Sequence, residues 1–506
     1  MAIMNNMVRR YIQKWDSEIN AFTTHPGQVQ SIQLRRILQS PLVKYLHPLL
    51  LAHHDKADLS DIPISDYQDI SEGVQNMMRD RSISCRYYAQ SSGTTSGTQK
   101  LIPTPEAYVK SNHLRGSWYL LHTLYSHDPD MSVFKQKNLL IGGSLYKKSH
   151  NYTIGDVSGI MISRIPSFFR PWYVPSIEEA VLPDWEEKLS ITSIKASREK
   201  KVALLAGTPT WVLSVLRAVL ESAGTRSLAK VWPQLKAYIH GGVDFGPYRT
   251  QFNELIEDAT MRYIEVYNAS EGFFAYQDRP HEDGMLLMLA SGIYYEFIAE
   301  TDYKLGIYNL RSLTEVDIDV NYVMVISTIS GLVRYVQGDI IRFVSVYPYR
   351  VKVVSRIGTF INAFGEDLSF NQVQSALRET NQLYNAQIAH YHVAPSFISI
   401  QEKGRHDWLI EWEKEPNDID AYSHDLDKAV KRANPNYAQK RVGDIALERL
   451  QIINLPDGTA KRYFKAQGKL SAQSKLQCMR NDRKVADRLI QLKQGTHAPL
   501  HEISPI

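Results

Sequence analysis

Cysteine is almost missing from this chain of 506 residues. Only Cys85 and Cys478 occur, far apart. That excludes a disulfide scaffold and a zinc ribbon and points to a reducing compartment. Surplus charge is missing too. A net charge of +4 over this length gives no electrostatic reason for a nucleic-acid partner. The first ten residues, Met1 to Arg10, lack the apolar core of a signal peptide. Val8, Ile12, Trp15 and Ile19 recur instead at helical spacing, which reads as a docked amphipathic helix. No uninterrupted membrane-length run occurs. The most apolar stretch, Val202–Leu220, contains Gly207, Pro209 and Arg217 and reads as a buried segment. The expectation is a soluble, cytoplasmic protein without a membrane partner.

What is present is ordinary globular composition, 43% hydrophobic and 22% charged, in a chain long enough for two or three domains. Residues 1–80 have a mostly helical pattern. Short apolar runs then alternate with helical patterns at Asn138–Ile141, Ala203–Leu205, Ala237–Ile239 and Arg262–Val266, the signature of α/β layers with parallel strands. From Gly284 to about Val354 the strand-like segments Met285–Leu289, Tyr294–Ile298, Tyr322–Thr328, Ile340–Val346 and Val351–Val354 follow one another, which reads as a β-rich subdomain. Beyond Gly358 the pattern is α+β. A helix starts at Gln372–Leu377, strands are expected at Phe397–Gln401 and Trp408–Trp412, and Asp418–Arg432 is helical. The fold class expected is therefore α/β: a large multi-layer N-terminal domain over 1–355 and a smaller α+β domain over 356–506, with a boundary near Arg356–Gly358.

The segment Ser91-Ser92-Gly93-Thr94-Thr95-Ser96-Gly97, followed by Lys100, suits a phosphate cradle. Glycines admit close approach, N–H groups and hydroxyls donate to phosphate, and the lysine adds charge. Its spacing is not that of a Walker A loop. After the strand Arg262–Val266 come Tyr267-Asn268-Ala269-Ser270-Glu271-Gly272. Tyr267 can stack on a flat base, Ser270 can bond phosphate, and Glu271 can hold magnesium. Asp339, after the turn Gly331–Gly338, could accept both ribose hydroxyls, since an ionised carboxylate only accepts. Gly241 and Gly242 follow the strand Ala237–Ile239 and would let a ligand lie against backbone, while the adjoining His240 reads as a packed or solvated histidine. Arg356 could reach ribose or phosphate, and Gly358 suits a hinge.

In this order, the segments resemble the adenylate-forming superfamily of acyl-CoA synthetases, peptide-synthetase adenylation domains and luciferases. Within it they are most similar to the auxin-responsive-promoter family of acyl-acid amido synthetases. Ser91–Gly97 with Lys100-Leu101-Ile102-Pro103 resembles that family's first nucleotide motif, Tyr267–Glu271 with Gly272 its second, and Arg334-Tyr335 with Gly338-Asp339 its third. Tyr295-Glu296-Phe297, Gly207-Thr208-Pro209 and Gly241-Gly242 are similar to further landmarks. The resemblance covers about Ser91 to Ser369. It departs at the hinge, where Gly358 stands in place of an acidic residue or lysine. It departs again in the C-terminal lysine segment, where Gly468 to Lys475 offers both Lys469 and Lys475.

The resemblance implies attack of a carboxylate on the α-phosphate of ATP, with Mg2+, to give an acyl-adenylate. Rotation of the C-terminal domain about 356–358 and capture by an amino-acid amine would follow. It implies an acyl pocket near the second motif, with Val212, Leu213, Leu216, Phe273, Phe274 and Tyr276 as lining candidates. Two other readings stand beside it. An acyl-CoA ligase would share the first step, and Gly365 resembles a position some of those ligases use near pantetheine. A non-catalytic nucleotide-binding protein of the same fold would have no need of Lys100, Glu271 and Asp339 together.

Overall fold

The computed structural model describes residues 14–48, 59, 62–80, 82–90, 100–127, 135–149, 151–243, 245–258, 260–279, 282–357, 359–364, 366, 368–397, 404–441, 447–468, 470–471 and 474–494. The phosphate-cradle residues Ser91 to Gly97, and Gly358, Gly365 and Lys469, lie outside them. A twelve-stranded sheet organises most of the chain. One half is parallel and pairs Tyr173–Val174, Lys137–Ile141, Val202–Gly207, Ala237–Gly241 and Arg262–Ala269 in that spatial order. The last four contain the runs expected from the sequence, and where a run is apolar throughout, as in Ala203–Leu205, that follows from burial on both faces.

The sheet changes sense at one place. Arg262–Ala269 turns through Ser270 and Glu271 into Gly272–Tyr276, an antiparallel neighbour. Met285–Leu287, Tyr349–Arg356, Tyr335–Val346, Asn321–Thr328, Ile293–Ala299 and Arg311–Ser312 then extend the sheet, all antiparallel. The β-rich region read from the sequence is thus half of one continuous sheet. The pairing of Met285–Leu287 with Gly272–Tyr276 provides the join. A second sheet places Tyr87–Gln90 between Leu101–Pro103 and Thr153–Gly155, so the two ends of the cradle segment meet as neighbouring strands.

The stretch Val202–Leu220 divides at Gly207 into a strand and the helix Pro209–Ala223. Pro209 suits the first helical turn, and Gly224, with φ of +64°, ends it in a left-handed cap. Val212, Leu216 and Val219 on its inner face are buried. The N-terminal helix is seen over 14–24.

Toward the C-terminus, the helix Phe370–Tyr384 begins with a Ser369/Gln372 capping box, and Ile419–Ala433 begins with the Asp418 carboxylate on Ala421 N–H. Both pack with a three-stranded sheet of Gln387–Ser396, Arg405–Lys414 and Gln451–Leu455 around Trp408, Ile410, Tyr422 and Leu426. The strand expected at Phe397–Gln401 ends at Ser396 instead. Phe397 is irregular and half exposed, and 398–401 lie outside the described residues.

A separate apolar core joins this C-terminal region to the rest. Trp185, Trp211, Leu213 and Val215 meet Leu455, Phe464, Leu476 and Leu489. Among the described residues no helix is long and apolar enough to cross a membrane.

Candidate active site

The carboxyl ends of the parallel strands open into a cleft of about 1280 Å³, the usual place for a ligand in a sheet of this kind. Lys100, Gly242, Tyr267, Asn268, Ser270, Glu271, Asp339, Arg356 and Lys475 all border it. They come from positions 375 residues apart in the chain (475 − 100).

The tightest cluster surrounds Asp339. Tyr267 donates its hydroxyl to Asp339 Oδ2 at 2.7 Å and sits 3.0 Å from Gln337 Oε1. Gln337 Nε2 donates to the same Oδ2 at 2.9 Å. Arg356 Nε lies 2.9 Å from Asp339 Oδ1, an ion pair bent away from a straight hydrogen bond, and its Nη2 donates to Gln337 O at 3.3 Å. The neighbouring Asp339 carboxylate holds the Arg356 pKa above its ordinary value. Burial, reinforced by Asp339, drives the Tyr267 phenol well above its own, so it stays a donor. The Tyr267 ring packs at 4.8 Å on Phe274.

Glu271 occupies the two-residue turn where the sheet changes sense. Tyr108 donates its hydroxyl to the Glu271 carbonyl at 2.7 Å, which pins the turn. The Glu271 side chain is buried, and its pKa is raised by that burial against the opposing pull of Lys100 and Arg356. Lys100 Nζ stands 6.0 Å above the Tyr335 ring. A buried carboxylate beside a lysine and an arginine is costly unless a further cation or polar ligand joins it. Among the described residues no cluster of three or more acidic, histidine or cysteine side chains forms a metal cage. Magnesium does not need one, since it is commonly held by one or two carboxylates together with substrate phosphates.

Lys475 enters the cleft, while Lys469 lies outside the described residues. A Cβ at Gly242 would stand 2.7 Å from its Nζ, so the ammonium lies directly against the glycine backbone. Burial, with a smaller push from Arg356, brings the Lys475 pKa down to about 8, and Asp339 opposes the fall.

Gly241 is not a cleft residue. A Cβ there would sit 2.4 Å from Val266 O, so this glycine serves close strand pairing. The acyl-pocket candidates are also corrected by the structure. Val212, Leu213 and Leu216 belong to the core beneath the C-terminal region, and Phe273, Phe274 and Tyr276 to the core under the antiparallel half. None of the six borders the cleft. Apolar residues at helical or strand spacing are core by default, and here that default holds.

One cleft residue, Gln337, was not given a role from the sequence. Gln337 lies two residues before Asp339 on one strand, so both point to the same face; that period-2 signal was available. His240 is buried, stacked at 4.1 Å on Phe245, and held neutral by burial, with its pKa lowered to about 3. The landmark segments around Glu296 and Arg334 act together structurally. Arg334, with φ of +45°, makes a forked ion pair with Glu296 (2.9 and 3.2 Å) and reaches Ile62 O at 2.9 Å.

A mixed sheet whose parallel strands end in a cleft bordered by such residues has the architecture of the adenylate-forming enzymes. The solved structure of AtGH3.15, an acyl acid amido synthetase in complex with 2,4-DB, is similar to this chain with a TM-score of 0.76 at 16% identity, covering 95% of this chain and 96% of that one. A 2-hydroxyisobutyryl-CoA ligase in the postadenylation state is similar at a TM-score of 0.57 and 10% identity, covering 93% and 91%. The chain belongs to the GH3 family: the GH3 family N-terminal domain matches residues 16–205, the central domain 286–356 and the C-terminal domain 371–484. An indole-3-acetic acid-amido synthetase, GH3.3 of Arabidopsis thaliana, is 24% identical over 206 residues. That match spans 38% of this chain and about a third (34%) of the relative's length.

Proposed function

We propose that this protein uses ATP to activate a carboxylic acid as an acyl-adenylate and then joins the acyl group to the amine of an amino acid. The observation that carries the reading is the convergence of Lys100, Tyr267, Glu271, Asp339, Arg356 and Lys475 on one cleft. Family membership and the similarity to acyl acid amido synthetases support it.

In the first step the acid's carboxylate oxygen attacks the α-phosphorus, a P–O bond forms, and pyrophosphate leaves with the electrons of the broken bond. Lys100 and Lys475 would stabilise the charge spread over the phosphates, where phosphoryl-type transfers gain most. Ser91 to Gly97 would supply hydroxyl and amide donors, and Ser270 another. Tyr267 and Asn268 would border the adenine and Gly242 would let it approach. Glu271 fits magnesium as a buried carboxylate at the cleft wall; when bound, the ion would neutralise phosphate charge.

Asp339 would hold the ribose. Its two oxygens offer about four acceptor sites, and three are already engaged by Tyr267, Gln337 and Arg356. Accepting both ribose hydroxyls therefore requires one partner to yield. Arg356, whose side chain is 42% exposed, is the partner that would turn outward toward phosphate or ribose.

In the second step the amine attacks the acyl carbonyl carbon, the C–N bond forms as the acyl C–O bond to AMP breaks, AMP leaves with that electron pair, and the amine nitrogen gives up a proton to solvent. Turning of residues 356–506 about 356–358 would withdraw Lys475 and admit the amine. The test is pyrophosphate release from ATP with a panel of carboxylic acids, crossed with amino acids and coenzyme A. Amide without thioester supports the synthetase. Thioester alone supports an acyl-CoA ligase. ATP binding without pyrophosphate release supports a non-catalytic nucleotide binder. Lys100→Ala and Glu271→Ala are each expected to lower ATP-dependent turnover at least tenfold, and full turnover in either would sink the site assignment.

A further inference from the structure

Lys475 is a long, flexible side chain whose usefulness depends on where its backbone is held. One hydrogen bond that holds it comes from 263 positions earlier in the chain (474 − 211). Trp211, in the first turns of the helix Pro209–Ala223, donates its indole Nε1–H to Ser474 O at 2.8 Å. Ser474 immediately precedes Lys475, and its hydroxyl accepts Ser471 N–H at 2.9 Å. The Ser471 side chain in turn hydrogen-bonds the Tyr146 hydroxyl, which also donates to Asp156 Oδ2 at 2.6 Å.

The support beneath this second point is itself fixed. Asp156 Oδ2 accepts Ser144 N–H at 2.8 Å. Buried Lys188 donates to Ser144 Oγ at 2.8 Å, Gly143 O at 3.2 Å and Gly142 O at 3.3 Å. Trp211 is locked edge-on against Trp185 with ring centres 4.5 Å apart.

The shared apolar core around Trp211, Phe464 and Leu489 draws the C-terminal region onto this face. Apolar contact is non-directional and leaves register loose. A hydrogen bond is not: it weakens steeply outside a narrow range of distance and angle. The two hydrogen-bonded points therefore set the register that the core alone leaves open. Neither Trp211 nor Tyr146 borders the cleft.

We infer that Trp211 and Tyr146 are positioning residues, a two-point latch that fixes the Lys475-bearing segment in the cleft for adenylation and is dispensable once the acyl-adenylate has formed. The inference rests on the proposed reading of Lys475 as an adenylation residue.

Trp211→Phe keeps an aromatic ring in the core and removes the N–H. Tyr146→Phe removes only the hydroxyl. In the full-length protein, acetic anhydride labelling read by mass spectrometry, with exposed Lys110 as internal reference, is expected to modify Lys475 faster in both variants. With the acid that releases most pyrophosphate in the screen, each variant should lower ATP–pyrophosphate exchange about five- to tenfold, the worth of one net hydrogen bond. Amide formation from supplied acyl-adenylate should keep the wild-type rate. In a Lys475→Ala background Trp211→Phe should have no further effect on exchange.

Equal slowing of both half-reactions, unchanged exchange, or additivity with Lys475→Ala overturns the latch. Full exchange in Lys475→Ala alone overturns the reading of Lys475 instead. Labelling then decides the latch by itself: faster modification retains it and unchanged modification removes it.

Discussion

Gly242→Ala separates the site's chemistry from its fold. Gly242 has φ of +85°, so an alanine there carries the steric cost of left-handed backbone, about 1–2 kcal/mol. The added methyl would stand 2.7 Å from Lys475 Nζ and 3.1 Å from its Cε. Carbon and nitrogen prefer roughly 3.5 Å or more, so the tip of Lys475 must retreat by about 1 Å. The backbone need not move, because the obstructing atoms end a flexible side chain. Misplacement of a reacting group by about 1 Å can cost on the order of 100-fold.

The expected result is a modest shift in urea midpoint, worth about 1–2 kcal/mol, together with a 10- to 100-fold loss of ATP–pyrophosphate exchange. In a Lys475→Ala background the same substitution should cost much less exchange, since no lysine is left to displace and only the approach of the nucleotide is hindered. Additive losses of exchange in the double variant would refute the reasoning and assign Gly242 to the nucleotide alone. Gly241→Ala is the contrast. Its methyl meets Val266 O at 2.4 Å, a backbone atom of the neighbouring strand. It should cost about 1–3 kcal/mol of stability through overpacking and reduce both half-reactions alike.

Three further outcomes follow from the same geometry. The Lys475 ammonium, lowered to about 8, must be protonated to meet phosphate, so kcat/KM for ATP in the exchange reaction should fall as pH rises through about 8; a profile flat to pH 10 would contradict this. Asp339→Asn removes a charged acceptor from Tyr267, Gln337 and Arg356, and should raise KM for ATP about 10- to 100-fold, the range for hydrogen bonds to charged groups. Unchanged nucleotide affinity by calorimetry would remove Asp339 from the ribose site. Lys188→Met strips the donor from three buried acceptors and should lower unfolding free energy by about 1–3 kcal/mol in urea melts, with no change there if solvent already satisfies them.

Much of the architecture was legible in local pattern. Ala203–Leu205 and Ala237–Ile239 are apolar because a parallel strand is covered on both faces, and that requirement is written into consecutive residues; Arg262–Val266 keeps Arg262 and Glu265 at half-buried positions. Lys100, Tyr267, Glu271 and Asp339 were equally legible. Each was singled out in a short segment of glycine, hydroxyl or acidic residues, and the structure brings all four to one cleft, Asp339 from inside the strand Tyr335–Val346. The family resemblance carried by those segments is confirmed by the domain matches along the chain.

Tertiary structure decided the rest. Whether the strands beyond Gly284 formed a second sheet or prolonged the first depended on one pairing, Met285–Leu287 with Gly272–Tyr276, which no local periodicity encodes. Apolar character could not tell Val212 or Phe273 in a core from a ligand wall, because both environments select the same side chains. The place of Lys475 came from the fold, which brings its ammonium against Gly242, 233 positions earlier (475 − 242). Short-range pattern records what a segment needs from its surroundings. Which surroundings it receives is settled by contacts such as Trp211 to Ser474, made between residues the chain holds 263 positions apart.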